Sequence, residues 1–403
     1  MTRIVVVGGG QAGASLVMKL RALGHQGPLD LICAEPVPPY QRPPLSKKYL
    51  LGEMAVERLF LKPEAAYGEA GIGLHLGRNV TGIDRDRRVV VTEDGSEVPY
   101  DLLALTTGSR PRLLPDAVGG ALDRVYPVRA LADVDAMAPE VVEGRQAVIV
   151  GGGYIGLEAA AVLAAKGVTV TVVEMAERIL QRVAAEETSD FFRALHRSHG
   201  VDVREGVGLT RLTGTDSVTG ADLTDGTHVA ADFAVIGIGI VPEDGLARDA
   251  GLTCDNGIAV DALGRTSDPA IFAAGDCATF PFRGETVRLE SVQNAIDQAE
   301  AVAEAMLGSD APYVPHPWFW SDQFDIKLQI AGLNAGYDRT VLRPGARAGT
   351  LSVWYYRGAQ LLAVDAMNDP RSYMMGKRMI ENGISPDPAL VADPESDLKS
   401  LLS

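Results

Sequence analysis

Cysteine is scarce in this sequence. Its three cysteines, Cys33, Cys254 and Cys277, lie far apart among 403 residues and form no C-x-x-C pair. Such spacing argues against a zinc site and against an internal dithiol relay, and it is typical of a reducing compartment. We therefore predict no metal site.

Positive charge is also in deficit, since 37 Lys and Arg face 53 Asp and Glu and give a formal charge of −16. An acidic chain is a poor general binder of nucleic acid, because phosphate affinity comes largely from Lys and Arg that release counterions. Long apolar runs are missing as well. One apolar run, residues 233–242, is punctuated by glycines and is about half of the ~20 residues that a membrane-spanning helix needs. We expect neither a nucleic-acid nor a membrane partner.

The composition is that of a globular protein, with 46% hydrophobic and 22% charged residues, and the length suggests two or three domains. The start, Met1-Thr2-Arg3, runs directly into a strand-like segment and does not fit a secretory signal. The sequence thus predicts a cytoplasmic protein.

Glycine is abundant, with 44 residues, and two clusters of it share one context. Residues 4–7 are a β-branched run typical of a buried parallel strand. They lead into Gly8-Gly9-Gly10-Gln11-Ala12-Gly13, then a helical stretch to about residue 23 and a second strand, residues 29–35, that ends on Glu35. The pattern recurs as a strand 147–150, Gly151-Gly152-Gly153-Tyr154-Ile155-Gly156, a helix to about residue 166 and a strand 168–173 before Glu174.

Each unit has the features of a dinucleotide-binding fingerprint. The first glycine permits the tight turn, the second lets backbone N–H groups approach a pyrophosphate, and the terminal acid accepts hydrogen bonds from ribose hydroxyls. A lone G-x-G-x-x-G is weak, but two complete units predict two dinucleotide sites. Two doubly wound sheets without ligands would not account for both acids. Glu174 repels a 2′-phosphate and favours NADH over NADPH, although the nearby Arg178 leaves that preference open.

The rest of the chain has a different texture. Residues 37–47 are rich in proline and read as a rigid loop, and residues 270–277 form another apolar strand that ends in Gly275-Asp276. From about residue 315, antiparallel strands are predicted at 325–331, 350–356 and 360–367, and a helix at 370–381. The predicted fold class is α/β, with two Rossmann-like dinucleotide-binding domains and a C-terminal α+β domain.

Several motifs occur in one order along the chain: Tyr40-Gln41-Arg42-Pro43-Pro44-Leu45-Ser46-Lys47, Thr106-Thr107-Gly108-Ser109-Arg110-Pro111-Arg112, residues 151–158, Ala274-Gly275-Asp276 and Pro317-Trp318-Phe319-Trp320-Ser321-Asp322-Gln323. With the paired fingerprint, they resemble FAD-dependent, NADH-using ferredoxin reductases of bacterial oxygenase systems. These are the putidaredoxin reductase type of the pyridine nucleotide-disulfide oxidoreductase superfamily.

The resemblance implies a domain plan and a partner. It divides the FAD-binding domain into residues 1–112 and 241–315, inserts an NADH-binding domain at 113–240, and ends with an interface domain at 316–403. It implies FAD and NADH as cofactors and a [2Fe–2S] ferredoxin as partner, serving a cytochrome P450 or a Rieske-type oxygenase. It also implies a monomer or weak dimer.

The same resemblance implies a set of site residues. Those expected to bind FAD are Gly8, Gly10, Gln11, Ala12, Gly13, Glu35, Arg42, Lys47, Thr107, Gly108, Arg110, Asp276, Glu290, Ser291 and Val292. Those expected to bind NADH are Gly151, Gly153, Tyr154, Ile155, Gly156, Glu158, Glu174 and Gly239. The segment 290–292 is expected to begin a helix whose amide end faces the flavin, where it would stabilise negative charge on the reduced cofactor.

Three residues are expected to be catalytic, Lys47, Glu158 and Trp320. In the resembled family a lysine lies near the reactive edge of the flavin and a carboxylate lies near the nicotinamide, so the two would form an ion pair that tunes the flavin potential. Glu158 could instead merely begin a helix, where the dipole favours an acid. Trp320 could cover the flavin ring or only fill a domain interface.

The sequence also bears on the branch of the superfamily and on docking. Disulfide reductases and peroxide-reducing oxidases carry cysteine after the first ribose acid, whereas residues 40–47 contain none. Electrons must then leave the flavin directly. Alternatives are a rubredoxin reductase, another NADH-dependent flavin oxidoreductase, or a non-catalytic protein of the apoptosis-inducing-factor kind.

Docking of a ferredoxin would need a local basic patch, since ferredoxins are usually acidic too. The patch is expected at Arg283, Arg288, Arg371, Lys377 and Arg378. Alternatively, these charges only form a solvated face.

Overall fold

The computed structural model describes residues 1–347 and 349–402. The chain divides into two compact units. Unit 1 contains Met1–Arg42, Ala55–Arg110 and Ile240–Pro317. Unit 2 contains Pro43–Met54, Pro111–Gly239 and the chain from Trp318 onward.

Unit 1 is built on a five-stranded parallel sheet. Its central strand, Ile4–Val7, is buried at every residue, as expected of a β-branched run covered on both faces. The strands lie in the order Ile271–Ala273, Leu102–Leu105, Ile4–Val7, Leu29–Ile32 and Gly73–His75. In a doubly wound sheet of this order, the loop after the central strand faces the ligand crevice.

One face of this sheet is covered by two helices, Gln11–Ala22 and Val292–Met306, which pack on each other through a core that includes Leu16, Leu20 and Val302. The other helices of unit 1 are Glu64–Glu69 and Gly245–Asp249, with a short 3-10 turn at Val56–Arg58. Its smaller sheets comprise the strands Val80–Asp84, Val89–Thr92 and Glu97–Pro99; Ile258–Ala259, Ala278–Phe282 and Glu285–Val287; and Ser109–Pro111 with Ile240–Pro242.

Unit 2 repeats the parallel design. Its strands lie in the order Asp202–Glu205, Thr169–Glu174, Gln146–Val150, Phe233–Ile236 and Val125–Pro127. The helix after the central strand, Tyr154–Ala165, is buried along most of its length. The remaining elements are the helices Leu131–Met137 and Glu186–Ser198, the 3-10 turns Pro43–Ser46, Asp116–Val118 and Ala138–Glu140, and the antiparallel strands Leu209–Thr213, Gly220–Leu223 and His228–Ala230.

The carboxyl-terminal part of unit 2 is an antiparallel sheet with helices. Its strands lie in the order Trp318–Gln323, Ile326–Gly332, Gln360–Met367, Leu351–Arg357 and Arg339–Pro344. Asp369 is the N-cap of helix Pro370–Glu381, and its side chain accepts a hydrogen bond from the Ser372 N–H. Together with proline at the first helical position, this cap marks the start of the helix. Helix Pro388–Ala392 and the 3-10 turn Ser400–Leu402 follow.

The predicted fold class is confirmed, and most predicted elements lie within two residues of the observed ones. The strand expected at 29–35 ends earlier, at Ile32. The Cys33 N–H still bonds the His75 carbonyl, but the chain bends before Pro36, so Glu35 lies beyond the ladder. Two strands of the last sheet, Trp318–Gln323 and Arg339–Pro344, were not predicted.

Arg343 anchors the end of the chain. It is 8% exposed, and its guanidinium donates hydrogen bonds to four backbone carbonyls of the terminal segment, those of Val391, Asp393, Pro394 and Ser396, at 2.6–3.1 Å. A buried charge is tolerated when its donors are matched in this way. The final segment is thereby part of the folded core.

His196 supplies a pH-dependent element of stability. It is fully buried, and burial lowers its pKa to about 4, against about 6.5 in an unfolded chain. The folded state therefore binds fewer protons between these values, so stability is retained above pH 6.5 and lost as the pH falls towards 4. Wild type should therefore lose free energy of unfolding on acidification, and we expect His196→Gln to reduce that loss by up to about 3 kcal/mol.

The measurement is the difference in urea midpoint between wild type and variant at pH 4.5 and pH 7. Wild type and variant must be compared because a second group titrates in the same range. Burial raises the pKa of Asp365 to about 6, so protonation of Asp365 stabilises the folded state as the pH falls, and this contribution is present in both proteins. His316→Gln, at an exposed histidine, is the control. Equal acid sensitivity of wild type and His196→Gln would contradict the prediction.

Within the described residues, no helix combines the length and the apolar character needed to cross a membrane.

Candidate active site

The first glycine turn has the geometry of a phosphate cradle. Gly8 has φ +114°, and a Cβ there would lie 2.2 Å from the Thr106 carbonyl oxygen. A Cβ on Gly13 would lie 2.0 Å from the Gly8 oxygen, so helix and strand pack too closely for any side chain. At Gly10, by contrast, a Cβ would meet nothing within 4 Å. The loop is therefore closed towards the protein and open where a ligand would approach.

The second turn, in unit 2, repeats these three roles. Gly151 has φ +107°, and its Cβ would lie 2.4 Å from the Gly237 oxygen. A Cβ on Gly156 would lie 2.2 Å from the Gly151 oxygen, while one on Gly153 would again meet nothing within 4 Å. The residues present thus fit a dinucleotide pyrophosphate at both turns.

The two helices that follow these turns begin without side-chain caps. Gly10 and Gly153 occupy the capping positions, and neither first turn contains an acid. By contrast, the helix Val292–Met306 has a side-chain cap, because Ser291 Oγ accepts from the Asn294 N–H at 3.1 Å. The N–H groups of Gln11 and Ala12, and those of Tyr154 and Ile155, thus receive no side-chain cap and are available to an anion.

The two predicted ribose acids have different surroundings. Glu35 accepts hydrogen bonds from Tyr40 Oη and Arg42 Nη2, both at 2.6 Å. Glu174 instead accepts from two backbone N–H groups, those of Gly152 at 2.7 Å and Ala176 at 2.8 Å. Glu174 is therefore held against the glycine turn of its own unit and keeps lone pairs for further donors.

Arg178, which left the nicotinamide preference open, is engaged elsewhere. Its guanidinium donates to Ser189 Oγ and, at 2.9 Å, to the Ala184 carbonyl. An arginine held by the loop and the helix that follow it is a weaker candidate for a 2′-phosphate than a free one. Gly239, with φ +100°, accepts from the Arg112 N–H at 2.9 Å, and a Cβ there would lie 3.8 Å from Arg182.

The remaining predicted residues of unit 1 have hydrogen-bond or ion-pair partners within that unit or lie at a turn or helix start. Ser109 Oγ donates to Asp276 Oδ2 at 2.8 Å, and Thr107 Oγ1 donates to the Glu243 carbonyl at 2.5 Å. Arg110 pairs with the Glu243 carboxylate at 2.8 Å, and Gly108 has φ +72°. The helix Val292–Met306 begins as expected, with Ser291 as its cap and Glu290 before it.

Arg288 corrects the docking expectation. Its side chain is only 9% exposed, pairs with Glu290 at 2.6 Å and donates to the Asp276 carbonyl at 3.1 Å. A buried and paired guanidinium cannot serve as a surface contact for an acidic partner, so its inclusion in the patch was wrong. Lys377 and Arg371 are also paired, with Glu381 and Asp397 respectively, but both are partly exposed.

Unit 2 brings together Lys47 and Glu158, which are 111 residues apart in sequence. Lys47 Nζ lies 2.7 Å from Glu158 Oε2, and the two side chains are 15% and 5% exposed. Two serines that sequence reasoning missed complete the group. Ser46 Oγ donates to Oε2 and Ser321 Oγ to Oε1, each at 2.7 Å. Neither serine carried a signal beyond its place in a motif.

Trp320 lies on the strand next to Ser321. Because neighbouring residues of a strand point to opposite faces, Trp320 does not share the face that carries Ser321 towards Glu158. Its ring lies 5.5 Å from that of Trp318. On the Ser321 face, the Phe319 ring lies 5.0 Å from that of Tyr154. Trp320 as a flavin cover thus stays a prediction.

The cysteines have the character of packing residues. Cys33 and Cys277 are buried, and Cys33 Sγ would lie only 2.3 Å from a Cβ on Gly9. Burial raises the pKa of Cys33 to about 12 and raises that of Cys277 as well. Both thiols therefore stay protonated near neutral pH, whereas thiol–disulfide exchange requires the thiolate.

Comparison with known proteins decides the family. Residues 2–299 match the model described as pyridine nucleotide-disulphide oxidoreductase, and residues 318–402 match the one described as reductase C-terminal. The chain belongs to the pyridine nucleotide-disulphide oxidoreductases. As a member of this family the protein is an oxidoreductase that uses a flavin and NAD(P), and the two glycine turns have room for two such dinucleotides.

Individual members of the family are similar over the whole chain. A ferredoxin–NAD(P)(+) reductase of a Sphingomonas species is 43% identical over 406 residues, covering 99% of this chain and 97% of its own. Putidaredoxin reductase in its covalent complex with putidaredoxin is 40% identical, with a TM-score of 0.96 over 100% and 98% of the chains. The ferredoxin reductase for the CYP199A2 system of Rhodopseudomonas palustris is 38% identical, with a TM-score of 0.96 over the full length of both. The predicted resemblance to ferredoxin reductases of the putidaredoxin reductase type is confirmed.

Proposed function

We propose that this protein is an NADH-dependent, FAD-containing reductase that passes electrons to a [2Fe–2S] ferredoxin serving a cytochrome P450 or Rieske-type oxygenase. The observation that carries the proposal is the pair of open glycine cradles combined with the buried, protonated thiols of Cys33 and Cys277. Two cradles provide for two dinucleotides, and the inert thiols leave an external acceptor as the outlet for electrons. The ferredoxin reductases similar along the whole chain support that acceptor.

In this proposal FAD is held by residues 1–112 and 241–315 and NADH by residues 113–240, with 316–403 as interface domain. The protein would be cytoplasmic and a monomer or weak dimer. FAD, when bound, supplies the chemistry, because a flavin accepts two electrons as hydride and releases them singly.

The residues of this chain bind and orient the two nucleotides. The open loops at Gly10 and Gly153 admit the pyrophosphates, and Glu35 and Glu174 accept from the riboses. Lys47 and Glu158 would place a fixed ion pair at the reacting rings. A pair fixed in advance by hydrogen bonds needs no reorganisation when charge moves during hydride transfer.

NADH preference is the first expected outcome. A 2′-phosphate beside Glu174 would place like charges together, which costs several kcal/mol, so we expect kcat/KM for NADH to exceed that for NADPH by about 100-fold. Glu174→Gln combined with Met175→Arg, at a residue that is 80% exposed, should narrow the gap at least tenfold. Steady-state reduction of ferricyanide by each nucleotide measures both.

The control for this prediction is Glu177→Gln, which removes an exposed negative charge from the same loop. It should leave the preference unchanged. Similar kcat/KM for the two nucleotides in the wild type would defeat the assignment of Glu174.

Docking of the ferredoxin is proposed for the basic residues of the expected patch that remain exposed, Arg283, Arg371 and Arg378. The Arg283 guanidinium lies 4.9 Å from the Phe282 ring and follows a strand of unit 1. Because the chain carries a net charge of −16, overall attraction cannot bring an acidic ferredoxin to it. Local complementary charges would do so by raising the association rate.

The test of the proposed function is anaerobic reduction of the flavin by NADH, followed by transfer to purified [2Fe–2S] ferredoxins and, in parallel, to rubredoxins. We expect the purified protein to be yellow, to bleach with NADH and to reduce a ferredoxin faster than a rubredoxin. Faster reduction of rubredoxin would favour the rubredoxin reductase alternative. A protein that is not bleached by NADH would defeat the proposal.

A further inference from the structure

One face of the strand Trp318–Gln323 is polar although it is buried. Ser321 and Gln323 are both 0% exposed, and with Phe319 they lie on the same face because side chains alternate along a strand. Polar groups in such a position need hydrogen-bond partners. Here the partners lie on the two helices Tyr154–Ala165 and Glu186–Ser198 of the same unit.

The partners form a continuous chain of hydrogen bonds. His196 Nε2 lies 2.8 Å from Gln323 Oε1, Gln323 Nε2 lies 3.1 Å from Ser321 Oγ, and Ser321 Oγ lies 2.7 Å from Glu158 Oε1. All four residues are at most 4% exposed. These hydrogen bonds thus connect a histidine on one helix with the carboxylate of the proposed active site on the other.

The direction of these bonds follows from the chemistry of the groups. A carboxylate only accepts, so the single proton of Ser321 is donated to Glu158 and Ser321 Oγ must accept from Gln323. The Gln323 carbonyl then accepts from His196, which must carry its proton on Nε2. Among the described residues, His196 Nδ1 has no hydrogen-bond partner, which suits an unprotonated nitrogen better than a buried N–H.

Ser321 has a particular role at the carboxylate. Oε2 of Glu158 receives hydrogen bonds from both Ser46 and Lys47, whereas the bond shown to Oε1 comes from Ser321. The terminal torsion of a glutamate side chain is broad and weakly restrained on its own. The donor to Oε1 therefore fixes the plane of the carboxylate, and Gln323 fixes the donor.

We propose that Ser321 and Gln323 are positioning residues that hold the Glu158 carboxylate in the one orientation suited to hydride transfer from the nicotinamide. The inference rests on the proposed function, since it requires Glu158 to face bound NADH. By this inference, two residues of the C-terminal sheet orient a carboxylate on the helix Tyr154–Ala165 and so influence the rate of hydride transfer.

The kinetic test is a double-mutant cycle on the holoenzyme. We expect Ser321→Ala to slow anaerobic flavin reduction at saturating NADH by about tenfold while changing the Kd for NADH less than twofold. Because Ser321 acts through Glu158, adding Ser321→Ala to Glu158→Gln should cause no further slowing. Independent, multiplying effects, or an unchanged rate in Ser321→Ala, would overturn the inference.

The matched control is Ser352→Ala. Ser352 is also a fully buried serine of the C-terminal sheet; its Oγ accepts from Trp354 Nε1 and donates to the Arg343 carbonyl. It should keep the wild-type rate. If it slows flavin reduction as much as Ser321→Ala does, loss of any buried hydroxyl in this sheet accounts for the effect and the inference fails.

A second measurement is made on the wild-type protein and needs no turnover. The ¹⁵N chemical shifts of the His196 ring, assigned by comparison with His196→Gln, report which nitrogen carries the proton. We expect the neutral Nε2–H form at pH 7. The Nδ1–H form would mean that the Gln323 amide is reversed and donates away from Ser321, which overturns the inference.

The outcomes also separate this inference from the proposed function. Wild-type protein that NADH does not reduce would defeat the proposed function and the inference together. Wild type that is reduced normally, with Ser321→Ala equally fast, would defeat the inference alone.

Discussion

Gly153→Val should abolish reduction by NADH while leaving the fold intact, with a loss in kcat/KM of about 100-fold or more. Gly153 has φ −81° and ψ 179°, a conformation that any residue adopts, and a Cβ there would meet no atom within 4 Å. The protein alone thus has room for the added Cβ, and we expect valine to be tolerated by the fold. What it obstructs is the approach of a pyrophosphate to the first N–H groups of the helix.

Gly10→Val should have the parallel effect on the other nucleotide. Gly10 has φ −88° and ψ −166° and the same open space, so the variant should fold but be purified without yellow colour. Flavin content is measured from absorbance, and folding from circular dichroism and the urea midpoint. The choice of glycine decides what the test reports, because Gly156→Val would place Cβ 2.2 Å from a carbonyl oxygen and fail to fold.

Gly245→Val is the control for both variants. Gly245 also lies at the start of a helix, and a Cβ there also meets nothing within 4 Å. It should keep both the flavin and the NADH activity. Gly10→Val with full flavin, or Gly153→Val with unchanged kinetics, would show that no pyrophosphate lies at that loop.

Lys47→Met should lower the free energy of unfolding by about 3 kcal/mol or more, since breaking a buried ion pair leaves an uncompensated charge. Glu158 is 5% exposed in its side chain and would keep only the hydroxyl donors. Replacing both partners, as in Lys47→Met with Glu158→Leu, should recover much of the loss. Urea unfolding followed by tryptophan fluorescence measures both.

The neighbouring residue supplies the control. Lys48 is exposed, and Lys48→Met should change the stability by no more than about 0.5 kcal/mol. A loss in Lys47→Met no greater than that of Lys48→Met would mean that water reaches Glu158 and that the pair is not a buried one.

The sequence predicted the glycine turns well because their chemistry is local. Gly8, Gly10 and Gly13 each have a role that follows from a short stretch of backbone, and Gly151, Gly153 and Gly156 repeat it. The flanking strands are β-branched and buried on both faces, a pattern visible without any knowledge of their neighbours. Local determinants of this kind carry the fold class with them.

The strand Trp318–Gln323 could not be predicted in the same way. Its inward face carries a serine and a glutamine, which are buried because their partners Glu158 and His196 lie opposite. The alternation of apolar and polar residues that predicts a half-buried strand is therefore missing here. The partners lie more than 120 residues away in sequence. Buried polar networks are set by tertiary packing, and no local pattern reports them.

The expected basic patch failed at Arg288 for a related reason. A count of charges along the chain treats every arginine as exposed, but this one turns inward to the Asp276 carbonyl and Glu290. Burial of a guanidinium depends on acceptors supplied from elsewhere in the chain.

Arg343 has a practical consequence for joining this reductase to an electron acceptor in one polypeptide. Trimming the chain before Val391 to shorten a linker would remove the four carbonyl acceptors of the guanidinium and with them the contacts that anchor the end of the chain. A tether for a fused ferredoxin therefore belongs after the 3-10 turn that ends at Leu402, where added residues extend the chain without removing a part of its framework.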